Sequence, residues 1–357
     1  MSANSPTKIT AISNVRIFDG KTIQDPSTLI INGDVIGRPD TTPHETIDAG
    51  GLILLPGLID AHVHLTSRED LAQLAKYGFT TAFDMATWPA ELLNSLRNQK
   101  GVTDILGCGL AATAPGSAHS RMPTMPEEAL VSTPDEAEEF VENQIAEGAD
   151  YVKVIADVPG PTQECLDALV IAAHCRNRLV IAHAASLEPT RMAQAANVDV
   201  ITHSPLDGVM SDADVQKMVQ EGRLSIPTLT MMKGVSLKRG KYEHARDTVA
   251  ALHCAGVPIL AGTDANSAPG APAKVVHGVS LHEELELLVN CGLSNCDALR
   301  AATEIPAGYF RLHDRGAIEV GRRADLVLVR GNPLENIQAT RKIERVWIAG
   351  KEVDIEK

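Results

Sequence analysis

A (β/α)₈ barrel of the TIM type, joined to a small β-sandwich domain built from both chain termini, is the α/β fold class this sequence predicts. Three observations point there. Short apolar runs alternate with helical patterns over 56–312, and β-rich segments flank that stretch on both sides. Metal-competent polar residues stand at the ends of several of those runs. Alternating strand and helix implies a parallel sheet, and eight such units imply a closed barrel.

The first fifty residues read as short strands. Asn32-Gly33 separates two β-branched runs between Thr28 and Ile36, a two-residue hairpin signal. Eight apolar runs follow at 57–64, 80–85, 104–112, 150–155, 178–182, 198–202, 223–227 and 258–263. Helix starts punctuate them. Thr133-Pro134-Asp135-Glu136 offers an N-cap, a proline at N1 and a capping-box glutamate. Ser211 with Asp214, Ser280 with Glu283 and Ser294 with Asp297 repeat the cap pattern. At the far end, Ala324–Val329 runs apolar, and Val346-Trp347-Ile348 meets a turn at Ala349-Gly350. The terminal stretches, 1–55 and 313–357, therefore read as one composite β domain, since chain ends commonly meet at a domain surface. The barrel takes 56–312.

Composition bounds the function. With 357 residues and 44% apolar content the chain can bury a large core, and its 3% aromatic content marks that core as aliphatic. A formal charge of −14 argues against nucleic acid or an anionic membrane as partner. Cys108, Cys165, Cys175, Cys254, Cys291 and Cys296 form no Cys-x-x-Cys pair, which suits reduced thiols in the cytoplasm. The polar N-terminus lacks a signal-type apolar core, and the run through 52–65 is too short and too polar to span a bilayer.

Chemistry concentrates at the run ends, where a barrel of this type holds its active site. In Pro56-Gly57-Leu58-Ile59-Asp60-Ala61-His62-Val63-His64-Leu65, two histidines at i and i+2 leave one face of a strand and offer two metal ligands. Lys153 sits in Tyr151-Val152-Lys153-Val154-Ile155, the fifth run ends in His183, the sixth in His203 and the eighth in Gly262-Thr263-Asp264. From His62 to Asp264 the seven intervals average about 29 residues, close to the roughly 31 of a ~250-residue barrel of eight units. Each residue alone has an ordinary explanation. A lone histidine is most often a satisfied core residue, Asp264 could cap a turn, and Lys153 could snorkel from an outer strand. Their conjunction favours a metal site.

The constellation resembles the amidohydrolase superfamily of metal-dependent hydrolases, and more closely its imidazolonepropionase- and prolidase-like branch. The HVHL motif, the YVKV strand and the tract His277–Leu285 carry the second likeness. The resemblance implies His62, His64 and Asp264 on one cation, His183 and His203 on a second, and Lys153 bridging both. A protonated lysine has no lone pair; in the family such a lysine reacts with carbon dioxide to give a carbamate. Imidazole with carboxylate-type oxygen suits Zn²⁺, with Mn²⁺, Fe²⁺ or Co²⁺ as alternatives. The implied activity is hydrolysis of a carbonyl–nitrogen bond, of a dipeptide or an N-acyl amino acid, by a hydroxide shared between two cations, with Asp264 as catalytic proton shuttle.

Departures from the family pattern fall in substrate-facing loops. Thr113–His119 replaces a Gly-Gly-His segment, and Phe83-Asp84 lacks a preceding arginine. Arg68, Trp88, His119, Arg121 and His277 are the candidate substrate contacts, while His282 reads as structural. Three rival readings stay open: a mononuclear metal deaminase or cyclic-amide hydrolase, which generally lacks the lysine; a lactonase or esterase of the same superfamily; and a catalytically inert scaffold, which usually loses ligands. The expected partner is a small-molecule substrate, and association into a homo-oligomer is compatible with such barrels.

Overall fold

Five strands open the chain in the computed structural model, which describes residues 8–123, 125–268 and 271–355. They are β1 (Ile9–Ile17), β2 (Ser27–Asn32), β3 (Val35–Ile36), β4 (Glu45–Asp48) and β5 (Ile53–Pro56). Eight short parallel strands follow: β6 (Leu58–Val63), β7 (Phe79–Asp84), β8 (Asp104–Gly107), β9 (Ala111–Ala112), β10 (Val152–Ile155), β11 (Val180–His183), β12 (Val200–Thr202) and β13 (Leu224–Ile226). The chain closes with β14 (Leu326–Val329), β15 (Ile343–Ile348) and β16 (Lys351–Glu352).

The terminal strands share one sheet path in the order β16-β15-β14-β5-β1-β2-β3, with β4 beside β1. Its two ends come together through antiparallel β14 and β5. The register of β1 shifts between Ile12 and Val15, and both halves of the path feed one buried cluster containing Ile12, Leu29, Ile31, Leu54, Leu326, Leu328 and Trp347. The hairpin turn lies one residue later than the sequence suggests. Asn32 pairs with Val35, so Gly33 (φ 65°) and Asp34 make the turn. A glycine in the first central position is what a left-handed entry to a tight hairpin requires. The outermost parts of the expected terminal domain, 1–7 and 356–357, lie outside the described residues.

The parallel strands form two arcs, β6-β7-β8 and β13-β12-β11-β10-β9. The third predicted run is broken between β8 and β9 by Gly107-Cys108-Gly109, which weakens a strand interior. The eighth, 258–263, is not a continuous ladder strand, but parallel bridges at Ser225–Ile259 and Val63–Ala265 and backbone hydrogen bonds such as Leu260 N to Ser225 O (2.9 Å) and Ala61 N to Ala261 O (2.9 Å) tie it to both arcs. Gly262 explains why it lies so close: a Cβ there would come within 2.9 Å of the His62 nitrogen and 2.5 Å of Ile226 Cγ2. On the other flank, Asp150 N donates to Gly107 O at 2.9 Å. Helices alternate with these strands, and the aliphatic cluster between them runs from Leu58 and Val63 through Val152, Val180 and Leu285.

Helix starts follow their caps. Thr133, Ser211 and Ser294 accept from the backbone three residues on. Glu136 completes only half of a capping box, because its carboxylate takes Ser132 N instead of the Thr133 nitrogen. Ser280 is not a cap. The helix Val279–Asn290 begins before it, and its hydroxyl accepts from Val276 N at 3.1 Å. Ser67 and Asp70 form a reciprocal capping box on the helix just after His64. Among the described residues no helix is long and apolar enough to cross a membrane.

Candidate metal centre

β6 carries His62 into the interior and ends one residue before His64. His62 is fully buried. Its ring lies 5.4 Å from that of His64 and 5.1 Å from that of His203. Asp264 closes the group: its Oδ1 is 3.0 Å from His64 Nε2 and 3.5 Å from His62 Nε2, and its Oδ2 is 4.0 Å from His203 Nδ1. His183 stands beside His203 with ring centres 4.4 Å apart. Lys153 is buried on β10, and its Nζ donates to Thr202 Oγ1 at 3.1 Å. The sequence-predicted set of His62, His64, Lys153, His183, His203 and Asp264 therefore clusters at the strand ends.

Backbone geometry is unusual there. His203 (φ 73°), Thr228 (φ 47°) and Asp264 (φ 59°) all take left-handed conformations. That region is costly for side chains with a Cβ and tends to recur at functional sites. Thr228, a β-branched residue, is held there while its hydroxyl bonds His203 Nδ1 at 2.7 Å. The buried Asp60 carboxylate accepts from His62 N, Thr263 N and Thr263 Oγ1, so one side chain braces both strand ends. His277 Nε2 lies 3.0 Å from the His64 carbonyl, and its Nδ1 is 3.5 Å from Asp70.

The electrostatics favour ligand-ready protonation states. Burial, with Lys153 and neighbouring histidines adding to it, holds His62 well below the ordinary imidazole value. His183 is depressed for the same reasons, and burial brings His203 down to about 3. All three are neutral near pH 7 and offer lone pairs. Burial would raise the Asp264 carboxyl, but the bond to His64 and the nearby positive groups outweigh it and keep it charged. Burial lowers Lys153 to about 8, so a fraction of its amine is unprotonated at neutral pH.

A divalent cation fits this donor set. Both ring nitrogens of buried His62 have no hydrogen-bond partner, an arrangement that costs free energy unless something else satisfies them. One donor atom each of His62, His203 and Asp264 lie within 4.8 Å of one another. Imidazole nitrogen with carboxylate oxygen is the ligand chemistry of zinc and its neighbours.

The loop residues divide. Arg68 is the exposed first residue of the helix Arg68–Lys76. Trp88 is 40% exposed beyond β7. Arg121 is exposed and donates one guanidinium N–H to Gly116 O in its own loop, at 2.9 Å. His119 instead meets Asp157 Oδ2 at 2.7 Å and stacks edge-on near His183, with ring centres 4.6 Å apart. His277 supports His64 from behind and does not face outward. His282 is buried between Thr340 and Tyr77, as its structural reading implies. Sequence reasoning missed Asp157, Thr228 and Asp60. Asp60 was visible two residues before His62, but nothing in one sequence brings Asp157 or Thr228 to the site.

Comparison with known proteins gives a consistent picture. The amidohydrolase family model matches residues 53–353. An uncharacterized Mycobacterium tuberculosis protein is 28% identical over 310 residues, covering 75% of this chain and 78% of its own length. The adenine deaminase of Nitratidesulfovibrio vulgaris is 26% identical over 333 residues, 89% of this chain and 54% of its own, so the chain spans about half of that enzyme. Among solved structures, a Xaa-Pro dipeptidase with methionine bound in its active site superposes with a TM-score of 0.82 at 24% identity, over 97% of this chain and 99% of that chain. A. niger ochratoxinase gives 0.80 at 20% identity, over 98% and 96%. At these identities the structural likeness is one of fold.

Proposed function

The chain belongs to the amidohydrolase family, and from that premise we propose that it is a binuclear metal-dependent hydrolase that cleaves a carbonyl–nitrogen bond of a dipeptide or N-acyl amino acid. The single observation that carries the reading is the buried His62 ring with both nitrogens unpartnered beside His64, His203 and Asp264. In this reading His62, His64 and Asp264 would hold one cation, His183 and His203 would hold a second, and Lys153, as a carbamate derived from carbon dioxide, would offer carboxylate-type oxygens to both. Zn²⁺ suits these donors best. Bound there, the cations supply Lewis acidity toward the scissile carbonyl and lower the pKa of water.

The chain's own residues do the rest. Asp264, charged and next to His64, takes a proton on a carboxylate oxygen and passes it to the leaving nitrogen. The unprotonated Lys153 amine, accessible at neutral pH because its value is lowered to about 8, adds to the carbon of carbon dioxide as one C=O π bond opens onto oxygen, and the nitrogen releases one proton to solvent to leave the carbamate. Thr228 and the His64–His277–Asp70 contacts fix ligand orientation. Arg68, at the start of the helix after β6, and Trp88, on the loop after β7, are both exposed and are proposed to meet the substrate at the mouth. The two arcs with 258–265 are read as one (β/α)₈ barrel over 56–312, and the terminal strands as a sandwich over 1–55 and 313–357.

A second reading, a mononuclear deaminase, is favoured by the adenine deaminase relatives and by the approach of His203 to Asp264. One experiment separates them. Chelated protein is reconstituted with zinc in bicarbonate and assayed against Xaa-Pro dipeptides, N-acyl amino acids and adenine. Release of an amino acid, lost on chelation and restored by zinc, is expected. Ammonia from adenine without amide hydrolysis would establish the deaminase instead.

A further inference from the structure

His119, Asp157 and His183 come from three different places in the chain: the turn after β9, the first loop residues after β10, and the end of β11. One donor atom from each lies within 4.8 Å of the other two. His119 Nδ1 and Asp157 Oδ2 are 2.7 Å apart, and both side chains are largely buried, with 25% and 20% exposure. The His119 loop is rigidly built. Thr113 Oγ1 and Ser117 Oγ are hydrogen-bonded at 2.8 Å inside it, Ser120 N donates to Ser117 Oγ, and Arg121 ties to Gly116 O. Such bracing costs conformational freedom that an ordinary surface loop keeps. The trio also adjoins the first cluster, because His183 touches His203.

We propose that His119 and Asp157 join His183 in binding the second divalent cation, adding one imidazole and one carboxylate beyond the strand-end ligands. This rests on the reading of the strand ends as a metal centre. The chemistry fits: two imidazole nitrogens and one carboxylate oxygen form a common set for zinc, manganese, iron or cobalt in the divalent state. In the cation-free chain the pair satisfies itself through its own hydrogen bond, and a cation takes over those donors. His119 is thereby a ligand in place of a substrate contact, and the second cation gains a charged anchor independent of Lys153.

The test is a zinc titration of chelated full-length protein against a chromophoric competing chelator, with metal content counted by mass spectrometry. Wild type is compared with Asp157→Asn and His119→Ala. Wild type is expected to hold two zinc ions. In each variant the second should bind at least about 10–100-fold more weakly, the size of effect typical when a ligand's support is removed, while the first is unchanged. If His119→Ala does not fold, His119→Gln keeps a hydrogen bond to Asp157 without an imidazole and carries the comparison. Two zinc ions held as tightly by the variants as by wild type would overturn this inference and leave the hydrolase reading standing. A wild type that binds no zinc would overturn both.

Discussion

Replacing Gly262 with alanine would place a methyl carbon 2.5 Å from Ile226 Cγ2, 2.9 Å from His62 Cβ and 2.9 Å from the His62 backbone nitrogen. Non-bonded carbon atoms prefer about 3.5–4.0 Å. Ile226 is fully buried, and the His62 nitrogen belongs to β6, so neither neighbour can swing aside. Overpacking of this kind costs about 1–3 kcal/mol, or roughly 2–12 °C in melting temperature at about 2–4 °C per kcal/mol. The displaced strand is the one that carries His62, so zinc affinity should fall with stability. Gly308 supplies the control. It lies in the helix Glu304–Tyr309 with nothing within 4 Å of an added Cβ and without a left-handed φ. Alanine there should stabilise by about 0.5–1 kcal/mol and leave zinc affinity alone. Melting of cation-free protein and a zinc titration read both. A Gly262→Ala protein that melts at or above wild type with unchanged zinc affinity would refute the close-packing argument.

Burial raises the Glu284 carboxyl from 4.5 to about 7, so between those values the folded chain holds a proton that the unfolded chain has released. Its contribution is therefore complete below pH 4.5 and lost progressively up to about pH 7, on the order of 3 kcal/mol in all. Glu284→Gln removes that titration, so its stability relative to wild type in denaturant should climb from pH 4.5 to 7 and then level off; a pH-independent difference would contradict this. Thr228→Val keeps the branched shape but leaves His203 Nδ1 without its 2.7 Å partner. Zinc affinity should drop about 10–100-fold, read by chelator competition, and an unchanged affinity would show that the bond does not orient the ligand. Asp264→Asn, measured with its metal content checked, should retain bound zinc poorly and lose nearly all amide hydrolysis; full activity with zinc bound would remove Asp264 from proton transfer.

The ligand set was legible because its signals are local. His62 and His64 alternate across the end of one strand, Lys153 lies inside an apolar run, and His183, His203 and Asp264 each end one. Periodicity alone locates such residues. The eighth run sits between the two arcs as its apolar content implies, held by backbone hydrogen bonds to both neighbours, but apolar content does not report how closely the backbones approach at Gly262. Ser280 looked like a cap because serine followed by an acid is also compatible with a position inside a helix already begun at Val279. Asp157 and Thr228 were invisible for a different reason. Their roles come from loops folding across the strand ends, where His119 meets Asp157 and Thr228 meets His203, and loop shape is not encoded in any short-range period.

A two-cation centre at the ends of the parallel strands implies a defined metal stoichiometry. Metal content per chain, measured on protein purified without chelators in bicarbonate buffer, tests it most directly. Two divalent ions per chain are expected, with the second bound more weakly in Lys153→Ala. One ion per chain, unaffected by Lys153→Ala, would contradict the binuclear reading and turn the assignment to the deaminase.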